Sequence, residues 1–216
     1  MKAAGVIFDL DGTLLDSMGI WSEVGSNYIE SLGLEPKETL REDTRALSLL
    51  QAADYLKNTY SLIESTSGIM ESINEMISEY YHYTLQPKEG AKELLEYLKD
   101  KKVPLCLATA TATPLVEAAL DRIDMRHYFI SIHSCVDLGK GKDEPDIFYE
   151  ALRALGSRKE DTWVFEDALY AAKTAKEAGF TVVGVHDSSA QHHQVELKAL
   201  SNYYIENLTQ GKDLFE

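Results

Sequence analysis

An unbroken apolar run that ends in acids, Val6-Ile7-Phe8-Asp9-Leu10-Asp11-Gly12-Thr13-Leu14-Leu15-Asp16, constrains this chain more than anything that follows it. Val, Ile and Phe without polar alternation read as a short strand covered on both faces, as in a parallel sheet. The carboxyl end of such a strand is where open α/β sheets bind ligands. Asp9 and Asp11 stand two residues apart at that tip, so an extended backbone sends both side chains the same way. Carboxylates that close repel unless a proton or a cation holds them. Magnesium suits hard oxygen ligands and usually shares its shell with a substrate phosphate, so it is the expected ion.

Composition narrows the partners. A formal net charge of −15 over 216 residues, with no clustered Lys and Arg, argues against a nucleic-acid ligand. No stretch approaches the roughly 18 apolar residues of a membrane span, and the N-terminal apolar run is too short for a signal peptide. Cys106 and Cys135 each sit in an apolar, strand-like run and read as buried thiols of a reducing compartment, hence a cytoplasmic protein. Oligomeric state is open, and a monomer is compatible with everything here.

Between Ser17 and Leu85 the pattern is helical throughout. Trp21, Val24, Tyr28 and Leu32 recur at three- and four-residue spacing before a stop at Gly33. Leu49, Ala52, Ala53 and Leu56 mark a second helix, and Ile69, Ile73, Met76 and Tyr80, with Met70, Ile77 and Tyr81 beside them, a third. That Met and aromatic stripe reads as packing. After Gln86 strands and helices alternate: strands over 103–108, 129–133, 162–165, 181–185 and a short edge at 203–205, helices over 91–98, 114–120, 145–155, 169–178 and 190–200. Such alternation predicts an α/β fold with a doubly wound, mostly parallel sheet. Residues 1–16 and 86–216 then form the α/β core and 17–85 an inserted all-α cap domain, hung on two crossings near 14–18 and 84–90 that could act as hinges.

Four short elements fall at predicted strand ends: Asp9 with Asp11, the turn opening at Thr109, Lys142, and Glu166 with Asp167. Thr109 is followed by a turn and a helix start, whose free N–H groups suit phosphate oxygens. Lys142 supplies a point charge for the same anion, and Glu166 and Asp167 add oxygen ligands for a cation shared with Asp9. Singly, each has a plain structural reading: Asp as a helix N-cap, Glu166-Asp167 as the acidic first turn of a helix. Jointly they describe one anion-and-metal site.

The same residues resemble the haloacid dehalogenase-like hydrolases, specifically the branch with a helical cap after the first motif. Asp9-Leu10-Asp11-Gly12-Thr13 is similar to the first motif, Thr109 to the second, Lys142 to the third and Glu166-Asp167 to the fourth. The resemblance spans nearly the whole chain. It implies a magnesium-dependent phosphatase of a small phosphate monoester, a sugar phosphate or similar metabolite. Asp9 would be the nucleophile and Asp11 the general acid and base. The metal would be held by Asp9, the Asp11 backbone carbonyl and Asp167, with Glu166 near it. Thr109, the Ala110 N–H and Lys142 would hold the phosphoryl oxygens. Ala168 and Ala171 stand where many relatives carry Ser and Gly. Trp21 occupies the place where β-phosphoglucomutase-type relatives carry a proton-relaying histidine, and Thr13 resembles the phosphatase form of the first motif. The reading therefore favours a hydrolase over a sugar-phosphate mutase, and over a receiver-like phospho-acceptor module, which would carry its acid on the third strand. Substrate selection is expected from cap residues near Trp21, Arg45 and Ser48.

Overall fold

The computed structural model describes residues 3–44 and 47–216; Arg45 lies outside the described residues. Six strands, β1 (Gly5–Phe8), β2 (Leu105–Thr109), β3 (Phe129–Ser134), β4 (Thr162–Glu166), β5 (Thr181–Val185) and β6 (Tyr203–Ile205), lie in one sheet ordered β3-β2-β1-β4-β5-β6. Every pairing is parallel. Among the described residues the sheet is therefore wholly, not just mostly, parallel. β1, β2 and β4 are buried along their whole length, the burial that a continuous apolar run demands of a central strand.

Register carries the site. Phe8 pairs with Leu107 on one side and Phe165 on the other, and the Asp9 N–H still donates to the Phe165 carbonyl at 3.0 Å. Asp9 is thus level with the ends of β2 and β4, and three strand tips open at one height.

The segment after β1 is helical: α1 (Met18–Ser31), α2 (Leu40–Thr44), α3 (Leu49–Tyr60) and α4 (Thr66–Glu79), closed by a π-helical turn over Tyr80–Thr84. Ser48 starts α3 with a full capping box to Gln51, and Ser65 accepts the Gly68 N–H to start α4. Val24 and Tyr28, Ala53 and Leu56, and Ile69, Ile73 and Ile77 are buried on three facing helices, as their spacing predicts. The crossings run side by side: the Asp16 N–H donates to Gln86 O at 3.0 Å and the Lys88 N–H to Leu14 O at 2.8 Å. Lys88 Nζ locks the second crossing down, donating to Gly12 O at 2.6 Å, His186 O at 2.7 Å and Asp187 Oδ2 at 2.9 Å.

The remaining helices are α5 (Ala91–Asp100), α6 (Thr113–Arg122), α7 (Cys135–Leu138), α8 (Asp146–Leu155), α9 (Leu169–Glu177) and α10 (Gln194–Leu200). Three expectations need correction. Cys135 does not sit in a strand: it opens α7, where the Ser134 hydroxyl accepts the Val136 N–H. Val103 belongs to the turn closing α5, its N–H donating to Leu98 O at 3.0 Å, because Pro104 has no N–H for the sheet. The helix expected from Ala190 starts at Gln194; residues 188–193 form 3-10 turns with a kink at Ala190. Both cysteines are free and buried, and burial pushes the Cys135 thiol up to about 11.

Candidate active site

Gly12 explains why two acids fit at the tip of β1. Its φ is +88°, and a Cβ there would run into the Asp167 carboxylate and Met18. Only glycine takes that turn at that separation without strain. The turn brings the Thr13 hydroxyl under Asp167, donating to Oδ1 at 3.0 Å.

Asp9, Glu166 and Asp167 are all buried and offer carboxylate oxygens within 4.8 Å of one another. Lys142, reaching in from the segment between α7 and α8, donates to Asp9 Oδ1 and to Glu166 Oε1, the latter at 2.6 Å. The Ala168 N–H donates to the other Glu166 oxygen at 3.1 Å. One lysine faces three carboxylates, so charge is left over. Burial, only partly offset by Lys142, raises the Asp9 carboxyl to about 6, with Glu166 adding repulsion. Asp167 is pushed well up by burial and then by the charges of Asp9 and Glu166. Lys142 stays firmly charged: burial works against its proton, and Asp9 and Glu166 outweigh it. Among the described residues, Asp9 Oδ2 is buried without any hydrogen-bond partner. An orphaned carboxylate oxygen beside two further acids fits a hard divalent cation.

Asp11 has a different environment. Its Oδ1 accepts from the Ser17 hydroxyl at 2.7 Å and from the Tyr81 hydroxyl; its Oδ2 accepts from the Thr111 hydroxyl at 2.6 Å. Tyr81 in turn accepts the Trp21 indole N–H at 2.9 Å. Burial and the Asp9 charge raise Asp11, while the three hydroxyls pull the other way. Such opposed influences let one carboxyl hold a proton and later accept one.

On the β2 side, Ala110 and Thr111 line the cavity above the acids. Thr109 is fully buried beneath them, its hydroxyl accepting the Thr111 N–H at 3.0 Å. The cavity encloses about 840 Å³, with Asp9, Asp11 and Lys142 at one end and Trp21 and Ser48 on its helical wall.

Comparison with known proteins bears directly on this arrangement. The model of the haloacid dehalogenase-like hydrolases matches residues 6–185, the span from β1 to the end of β5. The chain belongs to that family. It is 28% identical over 174 residues, 81% of each chain, to the phosphorylated carbohydrates phosphatase of Thermotoga maritima. It is 25% identical to the fructose-1-phosphate phosphatase YqaB of Escherichia coli, over 85% of this chain and 97% of that one. Among solved structures, CbbY from Rhodobacter sphaeroides in complex with phosphate superposes with a TM-score of 0.84 over 96% of both chains at 21% identity, a likeness of fold. The protein is accordingly a phosphoric monoester hydrolase of the haloacid dehalogenase-like family.

The sequence does not single out Tyr81 or Ser17, and it places Thr111 in the phosphate-side turn of Ala108–Thr111 without its bond to Asp11. Tyr81 lies in an apolar stripe and reads as packing. The distinguishing feature is the π turn at Tyr80–Thr84, which breaks the α4 repeat and turns a buried ring toward Asp11. Arg122 of α6 holds that turn by donating to the Tyr81 and Leu85 carbonyls. Among the described residues no helix is long and apolar enough to cross a membrane.

Proposed function

We propose that this chain is a magnesium-dependent phosphatase that cleaves a small phosphate monoester, a sugar phosphate or similar metabolite, through an aspartyl-phosphate on Asp9. The observation that carries the reading is the unpartnered Asp9 Oδ2 beside Glu166 and Asp167, with Lys142 bound to the same carboxylate. A carboxylate approaching a phosphate dianion meets repulsion of about 4 kcal/mol per unit pair at ~4 Å and an effective dielectric near 20. Asp9, Asp167 and the Asp11 carbonyl, with Glu166 beside them, would hold magnesium, which supplies positive charge against that repulsion. Lys142, the Ala110 N–H and Thr109 would bind the remaining phosphoryl oxygens, Thr109 through the turn its hydroxyl braces.

Asp9 attacks phosphorus as Asp11 passes its proton to the leaving oxygen. Asp11, now a carboxylate with three hydroxyl donors, takes a proton from the water that opens the aspartyl-phosphate. Residues 17–85 act as a cap domain on the core of 1–16 and 86–216, with the paired crossings as hinges. Trp21 argues for hydrolysis over phosphoryl return to a sugar: its indole N–H is donated to Tyr81, and the ring has no basic nitrogen to relay a proton. Two buried free thiols agree with a reducing, cytoplasmic setting.

The test is phosphate release from a panel of monoesters with magnesium and with excess chelator. Release is expected only with the metal; equal release in chelator ends the reading. Tyr81→Phe removes the phenol's donation to Asp11 together with its bond from Trp21. On an ester without a ring, kcat should fall by about 10- to 100-fold with KM changed less than about threefold, because phosphate binding does not involve the phenol. An unchanged kcat would show that Ser17 and Thr111 alone position Asp11.

A further inference from the structure

The two ends of the cavity are built from different chemistry. Its floor is charged, while the helical wall above presents Trp21 and Val24 of α1, Leu49, Ala52 and Leu56 of α3, and Ile73 of α4. Leu56 and Ile73, each 1% exposed, close the back of a recess whose accessible apolar face is Trp21, Leu49 and Ala52. The wall also carries Glu42 and three hydroxyls, each making one hydrogen bond to its own backbone. Ser22 donates to Gly19 O at 2.8 Å, Thr44 donates to Leu40 O at 2.9 Å, and Ser48 accepts the Gln51 N–H at 3.3 Å as the cap of α3. Arg41 is paired with Glu23.

Resting on the phosphatase reading above, we infer that the ester cleaved here carries a planar, largely apolar group on a short polar arm, the group lodging against Trp21 and the α3–α4 recess. A bare polyol phosphate gains little from the accessible faces of Trp21, Leu49 and Ala52. An apolar ring gains there, since its transfer from water onto those faces is favourable. Trp21 is a suitable face for such a ring: the indole N–H bond to Tyr81 at 2.9 Å fixes its plane, so little side-chain freedom is lost on stacking. The volume agrees. About 840 Å³ lies in the upper part of the range of pockets that enclose drug-sized ligands, roughly 300–1,000 Å³.

A matched set of esters tests this on the full-length protein with magnesium. Adenosine 5′-monophosphate and flavin mononucleotide present a 5′-phosphate arm bearing a ring system, and ribose 5-phosphate presents the arm alone. The better ring-bearing ester is expected to exceed ribose 5-phosphate in kcat/KM by at least about tenfold, mostly through KM. Ala52→Phe, which fills the recess, should bring that ratio toward one. Both esters are measured on one preparation, so any loss of folded protein cancels. A wild-type ratio at or below one overturns the inference while leaving the phosphatase reading intact. No release from any ester, with no phosphate label on Asp9, would end both.

Discussion

Asp9→Asn protein, assayed with magnesium on an ester that the wild type cleaves, should release phosphate at least about 10⁴-fold more slowly. The substitution keeps the shape of the side chain and removes the carboxylate proposed to attack phosphorus. It also leaves the surrounding charges well placed. Lys142 retains Glu166 at 2.6 Å, and one of three mutually repelling carboxylates is gone, so the variant should unfold at a temperature equal to or above that of the wild type. This pairing of a lost reaction with a kept or improved fold separates a chemical role for Asp9 from a structural one. If Asp9 only capped the turn after β1, activity would survive and stability would fall. Phosphate release within tenfold of wild type would remove Asp9 from the mechanism, and thermal unfolding of the same sample checks the second half.

How much of this was legible in the sequence depended on the range of the interaction. Strand positions could be read because the Val6–Phe8 and Trp163–Phe165 runs must be covered on both sides, and parallel register then brings Asp9 level with Glu166 without further information. Gly12 could be noticed; that its missing Cβ makes room for a carboxylate 155 residues away could not. Tyr81 shows the other limit. A buried tyrosine in an α-helical stripe is packing, and only a one-residue change of helical repeat at the end of α4 turns its hydroxyl to Asp11. Helical periodicity carries no signal for that. The Lys88 contacts escaped for a similar reason, since two of its three partners are backbone carbonyls with no sequence signature. Arg45, expected near the substrate, lies outside the described residues.

Lys142 is the only cation hydrogen-bonded to the acids among the described residues, and replacing it should be the most destabilising single change at this site. In Lys142→Met, Asp9 and Glu166 lose the ammonium that both now bind. Removing one partner of a buried ion pair costs about 3–5 kcal/mol, because the other charge stays behind without compensation. The sign of the pH dependence follows from the same contacts. Burial already raises Asp9 to about 6 against the pull of Lys142; without that pull its carboxyl moves higher still. A carboxyl whose folded-state value lies above its unfolded one imposes its penalty at high pH and loses it as the pH falls through the folded value. The variant should therefore be weakest near pH 8 and recover part of its stability near pH 5. Magnesium should also restore part of it at pH 8, by occupying the space between Asp9, Glu166 and Asp167 in place of the missing charge. Urea midpoints at both pH values, with magnesium and with chelator, measure all three effects. A midpoint at pH 8 matching the wild type would mean that these carboxylates share protons among themselves and need no lysine, and the charge balance drawn here would be wrong.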